Sequence, residues 1–143
     1  MPYNFLDDIA IADIAFEAWG ETLELMFDSA ADATMNVMIS DLESIRPQVE
    51  RGIDVEADTI DMLLFSLLQE LIFFKDAERL LLRLGDLRIE HGDGAYSLKA
   101  TARGEEIDPA RHDMIVDVKA VTLHRFRVEQ TSRGWEATVI LDI

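Results

Sequence analysis

Polar and apolar positions alternate with a period of two through the last part of the chain. Val116, Val118, Ala120, Thr122, His124, Phe126 and Val128 take turns with Asp117, Lys119, Val121, Leu123, Arg125, Arg127 and Glu129. After Thr131 to Gly134, one side carries Trp135, Ala137, Val139, Leu141 and Ile143, and the other carries Glu136, Thr138, Ile140 and Asp142. A period of two on both sides of a short glycine-containing loop predicts a β-hairpin. Its second strand ends on the Asp142 carboxylate and the terminal carboxylate of Ile143. A strand that runs to the last residue is tied down where a frayed tail would be ordinary, which predicts a role for that end.

The same pattern organises the rest of the chain. Ile14, Phe16 and Ala18 alternate with Asp13, Ala15 and Glu17, predicting a strand with one buried face that Gly20 ends. Leu23, Met26, Phe27, Ala30, Ala33 and Val37 then recur at helical spacing. They predict a helix from Thr22, its N-cap, to about Met38, with Glu24 favourably placed in the first turn. A loop through Pro47 leads to a half-exposed strand, with Val49, Arg51, Ile53 and Val55 set against Glu50, Asp54 and Glu56. Asp58 is the expected cap of a second helix, with Asp61 in a capping-box-like role. From Met62 to Phe74 that helix has hardly any polar side, which predicts burial at the centre of the domain. Leu80, Leu81 and Leu82 fit a strand or a helix end. Leu87 and Ile89 run into His91-Gly92-Asp93-Gly94 and out through Tyr96, Leu98, Ala100 and Ala102, a second hairpin. Gly104 to His112 reads as a polar connection in which Asp108 caps a short helix opened by Pro109.

At 143 residues, the chain is expected to form one domain, residues 1–143, with no linker or internal repeat to divide it. It has no cysteine, so neither disulfides nor thiolate metal sites are available. The N-terminus lacks the basic, apolar and small-residue regions of a signal peptide, and the longest apolar run is shorter than the roughly 18 residues of a membrane span. A cytoplasmic location without membrane attachment is expected. The formal net charge of −16 changes the picture most. Binding to RNA or DNA draws most of its affinity from Lys and Arg neutralising phosphates, so direct tight nucleic-acid binding is disfavoured. Cations and basic protein surfaces are favoured instead.

The chain has no phosphate-binding Walker loop, dinucleotide fingerprint, two-histidine zinc motif or serine nucleophile elbow. Its acids are plentiful, and two stand out by context. Asp13 and Asp142 each lie on the less apolar side of a strand, among Ala12, Ile14, Ala15, Ile140, Leu141 and Ile143. A carboxylate in such company is costly unless it is solvated, paired or bound to a cation. Were the two strands neighbours, Asp13, Asp142 and the Ile143 carboxylate would converge and suit a hard cation such as Ca²⁺, Mg²⁺ or Mn²⁺. The alternative is a pair of exposed strand-end aspartates. Lys119 is either a surface lysine in a salt bridge or a contact to a partner's phosphate or acidic group.

Several pieces together carry a resemblance. They are Ala12-Asp13 leading to Ala18-Trp19-Gly20, Thr22-Leu-Glu-Leu-Met-Phe27 and Leu63-Leu-Phe-Ser-Leu-Leu-Gln-Glu-Leu71. Gly104-Glu-Glu-Ile-Asp108 with Arg111-His112, Lys119-Ala-Val-Thr-Leu-His124, Gly134-Trp-Glu-Ala137 and Val139-Ile-Leu-Asp-Ile143 complete the set. In order and spacing the chain resembles the archease family nearly end to end. The resemblance implies a single-domain α/β sandwich, one mixed sheet packed against two main helices. It implies a protein cofactor, not an enzyme, that helps the GTP-dependent tRNA-splicing RNA ligase take GMP onto its active-site histidine and turn over repeatedly. It also implies a divalent-cation site, calcium among the candidates, at Asp13, Asp142 and the main-chain or terminal oxygens of Ile143. Lys119 would then touch the partner or its nucleotide. The family's usual His-Thr-Ala-Asp reads Ala10-Ile11-Ala12-Asp13 here, and a short insertion after Phe5-Leu6 supplies Asp7 and Asp8 as substitutes for the absent histidine. Leu123 stands where an aromatic is common. Two readings from other classes stand beside this one: a stand-alone metal-dependent enzyme acting on a small phosphorylated substrate, and a chaperone-like binding module.

Overall fold

The computed structural model describes residues 2–6 and 13–143. In chain order they form β1 (Tyr3–Leu6), β2 (Asp13–Gly20), α1 (Leu23–Met38), β3 (Val49–Ala57), α2 (Ile60–Glu78), β4 (Leu80–Gly92), β5 (Ala95–Glu106), β6 (Ala120–Thr131) and β7 (Gly134–Asp142). A short 3-10 turn, Leu42–Ser44, follows α1. The strands divide into a four-stranded sheet, β1-β2-β7-β6, and a three-stranded sheet, β3-β5-β4.

The expected α/β sandwich with two main helices is present, but the single mixed sheet is replaced by two sheets that are antiparallel throughout. The reason lies in what is inserted between strands. α2 carries the chain from β3 to β4 as a crossover would, yet β5 pairs with both and separates them. In the same way β7 stands between β2 and β6, so no two adjacent strands run parallel.

α1 forms where its periodicity places it. The Thr22 hydroxyl accepts the Leu25 N–H at 3.2 Å, one of the first-turn donors that the helix cannot satisfy itself. Met26, Phe27, Ala30 and Ala33 are buried. Just before it, Gly20 is required by a close approach, because a Cβ there would lie 2.5 Å from the Met26 nitrogen.

α2 departs from expectation at its start and on one side. Its N-cap is Thr59, not Asp58, and Asp61 accepts the Met62 N–H at 2.9 Å and the Thr59 hydroxyl. Leu63, Leu64, Leu67, Leu68 and Leu71 are fully buried, but Met62 and Phe73 are 37% and 56% exposed, so the helix is not enclosed all round. Arg79 ends it with a left-handed φ of 56°, and the Leu80–Leu82 run is the start of a strand.

β4 and β5 meet in the expected turn, with Asp93 and Gly94 at φ 52° and 76°. β5 runs on to Glu106, and Asp108-Pro109 opens a turn rather than a helix, the Asp108 carboxylate accepting the Ala110 N–H at 3.1 Å. β6 begins at Ala120, not Val116, because the preceding segment is held from the side. Ile115 N–H donates to Met38 O at 2.7 Å, and the Lys75 ammonium donates to Val118 O at 2.8 Å. Between Thr122 and Arg127 the ladder to β7 shifts register, and Arg125 takes φ 53°. The shift breaks the single alternation read from the sequence. Val121 is buried before it, Phe126 and Val128 pack on the core after it, and Leu123 is left 59% exposed. No helix among the described residues is long and apolar enough to cross a membrane.

Candidate functional site

β2 and β7 are neighbours, and their register sets Asp13 directly opposite Asp142. Residues opposite each other on antiparallel strands project to the same face, with Cβ atoms about 4.5–5.5 Å apart. The other face, with Phe16, Ala18, Ala137, Val139 and Leu141, is buried in the core. Alternation thus sends the aspartates to the outer side of the four-stranded sheet, where both are half-buried.

Two more carboxylates share that face further along, Glu17 and Glu136. Both are answered by Arg133, at 3.4 and 2.6 Å, and its guanidinium also sits 4.0 Å over the Trp19 ring. The Arg133 hydrogen bond, helped by the Thr131 hydroxyl, holds the Glu136 carboxyl below its ordinary range. Asp13 and Asp142 have no ion pair among the described residues. The face therefore has a compensated end and an uncompensated one.

Asp142 is flanked on its other side by Ala120 of β6, and its carbonyl accepts the Lys119 N–H at 2.8 Å. The sequence-predicted residues Asp13, Asp142, Ile143 and Lys119 are thus brought to one end of the sheet. The Lys119 side chain is exposed and makes no ion pair among the described residues. Asp7 and Asp8, the expected substitutes for the family's histidine, lie outside the described residues.

A buried lysine paired with exposed carboxylates fixes the approach to Lys119. The Lys75 ammonium, 5% exposed, contacts Asp117 and Asp76 at 2.5 Å each and Val118 O at 2.8 Å. Burial pulls its pKa down, but the hydrogen bonds and charges of Asp117 and Asp76 outweigh burial, so the net shift is upward and the lysine stays charged. Elsewhere, the Gly104–His112 motif builds a lock instead of a site. Buried Glu105 accepts from Arg46 N–H at 2.7 Å, from the Arg111 guanidinium and from His112 Nε2 at 3.1 Å. His112 Nδ1 accepts the Asp108 N–H at 2.8 Å, which places the ring proton on Nε2 facing Glu105.

Sequence reasoning missed Thr122. It is opposite Ile140, one step along the outer face from Asp142, and its Oγ1 is buried with no hydrogen-bond partner among the described residues. The signal available was a hydroxyl in the same alternation set as Ala120, but only the β6–β7 register places it near the aspartates. No cluster of three or more His, Cys, Asp or Glu able to hold a metal occurs among the described residues. Two facing carboxylates, the Ile143 main-chain oxygen and an orphaned hydroxyl are nonetheless all hard oxygen donors, a set that fits Ca²⁺, Mg²⁺ or Mn²⁺.

Residues 3–143 match the Archease protein family (MTH1598/TM1083). Protein archease of Pyrococcus furiosus is 37% identical over 133 residues, covering 92% of this chain and 93% of that protein. Protein archease of Methanosarcina mazei is 35% identical over 144 residues, with 99% and 95% covered. The solution structure of Methanobacterium thermoautotrophicum protein 1598 superposes with a TM-score of 0.85 at 33% identity, covering 99% of both chains. The Thermotoga maritima archease, described as a possible chaperone, superposes with a TM-score of 0.63 at 18% identity over 94% of this chain and 93% of that one, a likeness of fold. With a match that spans both sheets, both helices and the paired ends of β2 and β7, the chain belongs to the archease family.

Proposed function

We propose that this protein is an activator of the tRNA-splicing RNA ligase, a protein cofactor that promotes ligase guanylylation and multiple turnover and catalyses nothing alone. The observation that carries the reading is the register of β2 with β7, which sets Asp13 against Asp142 with no ion pair to either among the described residues. In this reading Asp13, Asp142 and the Ile143 main-chain oxygen hold a divalent cation, and Lys119 stands beside them for a phosphate or a partner acid. When bound, such a cation neutralises the carboxylates and offers vacant coordination positions to phosphate oxygens. The chain's own part is to keep the two carboxylates facing outward, which the opposite, core-packed faces of β2 and β7 do. It also keeps Lys119 in register through its N–H bond to Asp142 O.

Net charge supports a protein as the partner, because a surface at −16 repels RNA while it attracts a basic enzyme. The test is RNA ligation by the cognate ligase in excess over this protein, with and without divalent cation. Many ligations per ligase molecule only when both protein and cation are present support the reading. A chaperone-like role predicts instead that the protein protects the ligase from aggregation equally well in chelator. Hydrolysis of GTP by the protein alone, lost on Asp13→Asn, would favour the stand-alone enzyme.

A further inference from the structure

One peptide unit joins α2 to the candidate site. The carbonyl of Val118 and the N–H of Lys119 belong to the same planar trans peptide, so they point to opposite sides. The carbonyl accepts from the Lys75 ammonium of α2 at 2.8 Å. The N–H donates to Asp142 O of β7 at 2.8 Å. Asp142 is in turn the register partner of Asp13. A continuous path of bonds therefore leads from a buried helix side chain, through the backbone at Lys119, to the paired aspartates. A charged donor polarises the group it binds, and hydrogen bonds in series strengthen one another. Gln69 of α2 supports the same stretch further on, its Oε1 accepting the Val121 N–H at 3.1 Å.

Lys75 is the only cation of α2, and it is buried. Its ammonium has three N–H donors, and each meets an acceptor: Asp117, Asp76 and Val118 O. A buried charge is costly even when paired, and a packed apolar side chain in its place is often neutral for stability or better. What a saturated lysine supplies is direction, because its acceptors fix the placement of the segment they belong to. We infer that Lys75 is a positioning residue for Lys119. Acting through Asp117 and the Val118–Lys119 peptide, it holds the Lys119 side chain beside the Asp13–Asp142 pair. The inference rests on the part proposed above for Lys119, that of meeting a phosphate or a partner acid. Without Lys75, Val118 O loses its donor, and the peptide that carries Lys119 is held from the β7 side alone.

The test uses full-length Lys75→Met, which keeps most of the side-chain volume and removes the donors. If that variant melts far below wild type, Asp117→Asn, a change at an exposed side chain, takes its place in both measurements. Hydrogen exchange followed by NMR reads the Lys119 amide directly, with Phe16, on a central strand of the same sheet, as reference. Lys119 should exchange about tenfold faster or more in the variant, the scale of one charge-assisted hydrogen bond, and Phe16 at its wild-type rate. Formation of the covalent GMP–ligase adduct is then compared for Lys75→Met alone and in a Lys119→Ala background. A residue that acts through Lys119 has nothing left to act on once Lys119 is gone. Lys75→Met alone should slow adduct formation by about tenfold or more, and it should cause no further loss in Lys119→Ala. Equal loss in both backgrounds marks a merely structural role and overturns the inference, as does wild-type exchange at Lys119. A slowed Lys119→Ala beside a fully active Lys75→Met overturns the inference alone and leaves the proposed function intact. Lys119→Ala as active as wild type overturns the part proposed for Lys119, and the inference with it.

Discussion

Substituting Asp142→Asn or Asp13→Asn should stabilise the cation-free protein and weaken its response to cations. The two residues are register partners with Cβ atoms about 5 Å apart, and that spacing sets the scale of their charge separation. At that separation two unit charges repel by about 0.8 kcal/mol in bulk water and about 3 kcal/mol at the effective dielectric of a protein surface. Half-burial of both residues places the value between these limits. Neutralising one member should raise the melting temperature in chelator by about 3–10 °C for a chain of this size. A bound cation reverses the order. At about a hundredfold excess over its dissociation constant it adds about 2.7 kcal/mol to the wild type, while an Asn variant has lost a charged ligand and gains less. The assay is differential scanning calorimetry at low ionic strength, in chelator and then in Ca²⁺, Mg²⁺ or Mn²⁺. Glu56→Gln, an exposed acid on the other sheet, controls for the general benefit of lowering the charge. Identical melting in chelator together with an identical cation shift in wild type and variant would refute the reasoning.

Three further outcomes are expected. Thr122→Val removes a buried hydroxyl that has no partner among the described residues, so it should raise stability in chelator by about 1 kcal/mol; an unchanged cation-induced melting shift would separate Thr122 from the site. Burial first and Asp32 second raise the Asp28 carboxyl to about 6. The folded state therefore binds that proton more tightly than the unfolded state, and stability from this group rises as pH falls through about 6. Asp28→Asn should melt higher than wild type above that range and lose its advantage below it, as read from melting across pH. Although burial opposes it, the bonds from Arg111, Arg46 and His112 lower Glu105 to about 2 from an ordinary 4.5. Its stabilisation is present above the ordinary value and lost as pH falls toward about 2, so Glu105→Gln should melt lower at neutral pH and show a flatter acid limb.

The strands and helices were readable where one periodicity ruled a whole segment. α1 and the β4–β5 hairpin have strong periodicity with a hydroxyl cap or a glycine turn and stand where these place them, whereas the β6–β7 hairpin keeps its glycine turn but starts at Ala120 and shifts register. The pairing of Asp13 with Asp142 was readable as a condition, since both lie on the polar side of apolar strands, but adjacency of β2 and β7 is a long-range fact that no local pattern holds. Three features escaped for physical reasons. The exposed side of α2 escaped because an all-apolar helix has no period from which to read its orientation. The β6 register shift escaped because Leu123 to Arg125 keep alternating in sequence while the backbone at Arg125 turns left-handed. The division into two antiparallel sheets escaped because the insertion of β5 between β3 and β4 depends on which strands meet, and hydrophobic patterning does not encode that.

The most direct test of the proposed function is formation of the covalent GMP–ligase adduct over successive rounds, with this protein at a small fraction of the ligase concentration and divalent cation present. Wild type should accelerate adduct formation. Asp13→Asn/Asp142→Asn, folded by its melting curve, should leave the ligase near its unassisted rate. Equal acceleration by wild type and the double variant would contradict the assignment of function to the paired ends of β2 and β7.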